Sequence, residues 1–173
     1  MHSKITISGR ICTGKSSVFS ALQSRLHWPL FSSGTYFRSF AKEHKLNLNN
    51  AEEQTAKLTL QVDGMVADML KKPGNLIVEA WLGGILAGTN NTVLKVLLTA
   101  DDKIRFQRFA QREGVSLPAA QQEVLMRDAS WLAKVKQIHK RTDIFDPKNY
   151  DLVIDTSNVS IEYVVSQIIN SLS

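Results

Sequence analysis

Between a short strand-like segment and an amphipathic helical one lies Gly9-Arg10-Ile11-Cys12-Thr13-Gly14-Lys15-Ser16, which fits the pattern Gly-x-x-x-x-Gly-Lys-Ser without a mismatch. Gly9 and Gly14 permit backbone torsions and a close approach that a side chain would block. The loop can then turn its N–H groups inward as a nest for anionic oxygens, and the following helix adds its positive end. Lys15 can reach β- and γ-phosphates, and the Ser16 hydroxyl can sit on Mg²⁺. The setting supports the pattern. Lys4 to Ser8 alternates apolar and polar as a strand does, and Ser16 to Leu26 carries Val18, Ala21, Leu22 and Leu26 near helical spacing. Ile11, Cys12, Thr13 and Ser17 complete the expected ATP-binding stretch.

Behind this loop, strands and helices alternate over 173 residues, a length that reads as one domain. Trp28 to Phe31 is a short apolar piece. Ser32 and Ser33 offer N-caps to a helix from about Gly34 to Glu43, and Asn49 and Asn50 offer caps to a longer one, Ala51 to Lys72, in which Gly64 suggests a break. Leu76 to Val78 reads as a buried strand, and Gly83-Gly84 reads as the end of the short segment after it. Val93 to Leu98 is the next strand, then a helix from Asp101 to about Arg112. Ser116 and Pro118 open a helix reaching to about His139. Asp143 to Asn149 reads as a loop, Leu152 to Ile154 as the last strand and Ile161 to Leu172 as the last helix. This order predicts an α/β fold: a parallel sheet of about five strands with helices on both faces, plus a short helical lid. Ligands of such sheets bind where the strands end. Weight therefore falls on the phosphate loop, Ser32-Ser33-Gly34, Glu79-Ala80-Trp81, Thr99-Ala100-Asp101 and Asp155-Thr156-Ser157.

Composition narrows the function classes. The net charge of +5 comes from scattered Lys and Arg rather than a basic run, which fits a site handling several phosphates better than a nucleic-acid surface. The single Cys excludes an intrachain disulfide framework. With no charged, apolar leader and no apolar run of membrane-spanning length, the expected location is the cytoplasm, without a membrane partner, as a monomer or weak dimer. The four His show no metal-ligand spacing. No Asn-Lys-x-Asp segment marks a guanine-reading GTPase, and no hydrophobic strand ends in Asp-Glu as in an AAA-type motor.

Four segments together resemble the cytidylate kinase-like branch of the nucleoside monophosphate kinases. They are the phosphate loop; Ser33-Gly34-Thr35-Tyr36-Phe37-Arg38; Leu97 to Ala100 with Arg105, Arg108 and Arg112; and Arg127-Asp128 with Tyr150 to Ser157. The resemblance implies phosphoryl transfer from ATP, with Mg²⁺, to CMP or dCMP. It implies acceptor-binding helices over about 33–72 and a lid over about 114–146. Lys15, Arg127 and Lys134 are the catalytic residues it implies, and Ser16 the metal ligand. Arg108 and Arg112 are placed at the donor, and Ser33, Gly34, Arg38, Glu79, Trp81 and Trp131 at the acceptor.

The chain departs from that pattern at three acceptor-side positions. Glu79-Ala80-Trp81 stands where the family has Glu/Asp-Gly-Arg. In the lid, Trp131 replaces an acidic residue and Lys134 an Arg, which keeps the charge without the bidentate fork. Two other readings therefore stay open: a small-molecule kinase with a reshaped acceptor pocket, and a nucleotide-binding module without turnover. Cys12, beside a helix N-terminus, reads as a small filler residue or as a thiol of depressed pKa.

Overall fold

The computed structural model describes residues 1–45 and 55–173. Five strands form one parallel sheet in the order β2-β3-β1-β4-β5: β1 (Lys4–Ser8), β2 (Leu30–Ser32), β3 (Leu76–Glu79), β4 (Val93–Thr99) and β5 (Leu152–Asp155). β1 is central, and all five of its residues are buried. As expected of a parallel sheet with helices on both sides, both of its faces are covered. Ile5 and Ile7 pack with Val18, Phe19 and Leu22 of α1 (Lys15–Leu26) and with Val164, Val165 and Ile168 of α7 (Ile161–Asn170). The other face carries Thr6 and Ser8, whose small side chains let α4 (Gly83–Ala87) sit directly against the sheet.

Gly83 and Gly84 therefore begin a helical turn rather than end a segment. A Cβ on Gly83 would lie 3.1 Å from Thr6 Cβ, and one on Gly84 would lie 2.9 Å from Tyr150 Cδ1, so close packing demands the glycines. Beside α4, Val66 and Leu70 of α3 (Ala56–Lys71) cover Val78 and Val93.

α2 (Ser33–Glu43) starts one residue earlier than the sequence suggests, with the Ser32 hydroxyl accepting from Thr35 N–H at 3.2 Å. α3 is capped by Thr55, whose hydroxyl accepts from Leu58 N–H at 3.1 Å. The expected caps Asn49 and Asn50, and a helix start at Ala51, lie outside the described residues. Gly64 does not break α3; a Cβ there would meet nothing within 4 Å, so the residue faces open space.

α5 (Asp102–Glu113) and α6 (Leu117–His139) pack through Phe109, Ala120 and Val124. α6 has the expected Ser116 cap and early Pro118, and its 23 residues reach His139 as the sequence suggests. The stretch expected as loop contains one 3-10 turn, Pro147–Asn149. Among the described residues, no helix is long and apolar enough to cross a membrane.

Candidate active site

The loop after β1 takes the conformation its glycines allow. Gly9 has φ 149° and Gly14 φ 89°, and Cys12 between them adopts φ 62°, a left-handed value unusual for a residue with a side chain. Any Cβ on Gly9 would lie 2.7 Å from the Thr13 hydroxyl. That hydroxyl donates to the Arg10 carbonyl at 2.9 Å and closes the loop from behind.

Lys15 is only 9% exposed. Its ammonium donates to the Arg10 carbonyl at 2.7 Å and lies 5.4 Å from the centre of the Trp81 ring. Burial pulls its pKa down to about 8, with the Glu79 carboxylate working in the opposite direction. The Cys12 thiol is pushed up: burial outweighs the surrounding Arg112, Lys15, Arg105 and Arg108 charges. The filler reading of Cys12 fits this; the depressed thiol does not.

Glu79, at the end of β3, gathers three serines. One carboxylate oxygen accepts from Ser16 Oγ at 2.7 Å and the other from Ser32 Oγ at 2.9 Å, while Ser33 Oγ donates to the Glu79 carbonyl at 3.3 Å. Ser16 and Glu79 thus set two hard oxygen donors together beside the phosphate loop. Such a pair suits Mg²⁺, which binds through one or two protein oxygens and completes its shell with water and substrate phosphates. No cluster of three or more His, Cys, Asp or Glu suited to a metal occurs among the described residues.

A cleft of about 1090 Å³ opens above these groups. Of the residues singled out in the sequence, Ile11, Cys12, Gly14, Lys15, Ser16 and Ser17 line it from the loop; Ser33, Gly34 and Arg38 from α2; Glu79 and Trp81 from the end of β3; Arg108 and Arg112 from α5; and Arg127 and Trp131 from α6. Gly9 and Thr13 shape the loop from behind. Lys134, half-buried on α6, is not among the described residues lining the cleft.

The arginines differ in how they are held. Arg108 donates to Cys12 O at 3.3 Å and to Thr156 Oγ1 and O at 3.0 and 2.5 Å, stitching the loop to the end of β5. Arg112 pairs with Glu113 at 2.7 Å, and Arg127 with Glu123 at 2.6 Å. Both guanidinium groups lie over the ring of Phe109, at 5.3 and 5.4 Å. Arg38 donates to Thr35 Oγ1 at 3.1 Å. Trp81 and Trp131 pack edge to face with ring centres 5.4 Å apart, and Phe145 adds a third ring 5.7 Å from Trp81. Trp131 is 5% exposed, so most of its ring is taken up by this packing.

Phe37 and Asp63 are among the cleft residues that the sequence reading does not assign to the site. Phe37 lies between Ser33-Gly34 and Arg38 on α2. Asp63 sits on the buried stripe of α3 with Leu58, Val62 and Val66, and donor–acceptor contact with His139 Nε2 spans 2.7 Å. Burial raises the Asp63 pKa against the opposing bond to His139. The available signal was an acidic residue on an otherwise apolar helical face.

A profile described as the cytidylate kinase-like family matches residues 61–158. The chain is similar to a cytidylate kinase of Ignicoccus hospitalis, 33% identical over 167 residues and 95% of each chain. It is also similar to one of Methanococcoides burtonii, 33% identical over 156 residues, 88% of this chain and 87% of that protein. Among solved structures, an uncharacterized protein from Eubacterium ventriosum superposes with TM-score 0.75 at 15% identity, covering 98% of this chain and 97% of the other. A gluconokinase from Sinorhizobium meliloti superposes with TM-score 0.63 at 14% identity, covering 98% and 91%. These two likenesses concern the fold. The sequence relationships go further, and the chain belongs to the cytidylate kinase-like family, as a phosphotransferase of the nucleoside monophosphate kinase type.

Proposed function

We propose that the protein transfers the γ-phosphoryl group of ATP to a nucleoside monophosphate, CMP or dCMP, in the cytoplasm and with Mg²⁺. The observation that carries this reading is the Ser16–Glu79 contact. It joins the phosphate loop to the end of β3 at the point where α2 presents Ser33 and Arg38 to the same cleft. Phosphoryl transfer asks mainly for alignment and charge neutralisation. The loop amides and Lys15 hold the donor phosphates. Arg38 orients the acceptor phosphate. Arg127, on α6, meets the charge of the transferred group, and the lid excludes water that would hydrolyse the donor. Ser16 and Glu79 hold Mg²⁺, which when bound draws charge away from the phosphate oxygens.

Trp81 favours a second reading. An aromatic ring over Lys15, where the family pattern has an arginine, suits a reshaped acceptor pocket and a non-nucleotide acceptor. An acceptor panel separates the two. ADP formation from Mg·ATP that rises with CMP or dCMP supports the first reading. ADP formation that rises only with phosphorylatable alcohols such as sugar acids supports the second and removes the first.

A further inference from the structure

Arg105 is the bulkiest of the fully buried side chains, 1% exposed, and its donors point in three directions. Nε donates to the Ile11 carbonyl of the phosphate loop at 2.9 Å, Nη1 to Asp102 at 2.6 Å and Nη2 to Asp128 Oδ2 at 2.5 Å. Asp128 belongs to α6 and is 4% exposed. Its Oδ2 also lies 3.7 Å from Nη1 of Arg10, a residue of the loop itself. Its Oδ1 is buried with no hydrogen-bond partner among the described residues. One carboxylate on α6 is therefore tied to the phosphate loop twice, directly through Arg10 and by way of Arg105 through the Ile11 carbonyl.

The neighbours of Asp128 give this tie a purpose. Arg127 precedes it and lines the cleft; Trp131 lies within one turn beyond it and packs on Trp81 at the end of β3. A buried ion pair is a weak source of stability, because the desolvation of two charges offsets most of the attraction. It does fix geometry, since the planar guanidinium accepts partners only along set directions. We propose that Asp128 and Arg105 are positioning residues that keep α6 in register with the phosphate loop and so aim Arg127 at the transferred phosphoryl group. The role of Arg127 in this proposal rests on the phosphoryl-transfer reading.

The test is a double-mutant cycle on kcat with Asp128→Asn and Arg127→Ala. Asp128→Asn is expected to lower kcat tenfold or more while the KM for ATP stays within about threefold, and to cost less than threefold when Arg127 is already alanine. A merely structural Asp128 gives the same fold loss in both backgrounds, and that result overturns the proposal. Should Asp128→Asn not fold, Arg105→Met combined with Asp128→Leu removes both buried charges together and enters the same cycle. If the parent transfers phosphoryl to no acceptor, the functional reading fails. The tie between α6 and the loop is then judged by tryptophan emission on titration with Mg²⁺ and a non-hydrolysable ATP analogue. The parent's nucleotide-dependent change should be absent in Asp128→Asn while calorimetry still records analogue binding. Persistence of the full change overturns the proposal.

Discussion

The Ser16 hydroxyl and the Glu79 carboxylate meet at 2.7 Å across the cleft floor, although 63 residues separate them. This contact pairs the first residues of α1 with the last residue of β3 and assembles the oxygens proposed for Mg²⁺. Ser16→Ala is expected to raise the Mg²⁺ concentration needed for half-maximal ATP turnover by about 10–100-fold. Glu79→Gln should act in the same direction, with its fold unchanged because an amide still accepts from Ser32. Turnover measured against Mg²⁺ at fixed ATP reads both variants.

Lys15 is buried in a folded chain that must keep it charged near neutral pH. Its folded pKa of about 8 lies below the ordinary value of 10.5. Between those values the unfolded chain binds more protons, so stability rises with pH across that window. Below pH 8 the full cost applies, up to about 3 kcal/mol at 1.36 kcal/mol per unit. Lys15→Met should therefore unfold at higher urea than the parent at pH 7. The advantage should shrink as the pH rises toward 10.5. Urea midpoints of the two proteins at pH 7 and pH 10 check the sign.

Arg38 and Arg112 both line the cleft, from α2 and α5 respectively. In the proposed arrangement, Arg38→Ala raises the KM for CMP about tenfold or more and leaves the KM for ATP within about twofold. Arg112→Ala has the reverse pattern. Initial rates with one substrate varied at a time distinguish them.

Much of this was legible in the residues. The phosphate loop could be read because its chemistry demands particular residue types at fixed spacing, and the strand and helix beside it confirmed the setting. The parallel sheet could be inferred from the alternation of apolar strands with helices. Other features depended on packing that no local pattern encodes. That the polar Thr6 and Ser8 of β1 lie against the glycines of α4 follows from packing and not from the alternation of the strand. Gly83-Gly84 looks like punctuation but is a close contact with β1 and Tyr150. Arg105 looks like a surface helix arginine until its three partners come from the loop, its own helix and α6. Asp63 was masked by the apolar stripe around it.

The Gly84 contact carries its own consequence. Tyr150 is held in place by its hydroxyl, which donates to the Ile144 carbonyl at 2.5 Å, and burial pushes its pKa up to about 12. With the ring unable to retreat, Gly84→Ala should cost about 1–3 kcal/mol by overpacking. Gly64→Ala, in open space within α3, should instead stabilise by up to about 1 kcal/mol. Urea unfolding of the two variants gives the comparison.

Transfer of labelled phosphate from the γ-position of ATP to CMP, measured in the parent and in Lys15→Ala, tests the proposed chemistry most directly. The parent should yield CDP and ADP in equal amounts, and Lys15→Ala should be slower by roughly a hundredfold or more, as when a donor to developing charge is removed. A parent that binds Mg·ATP yet labels no nucleoside monophosphate, or a Lys15→Ala variant that turns over like the parent, would contradict it.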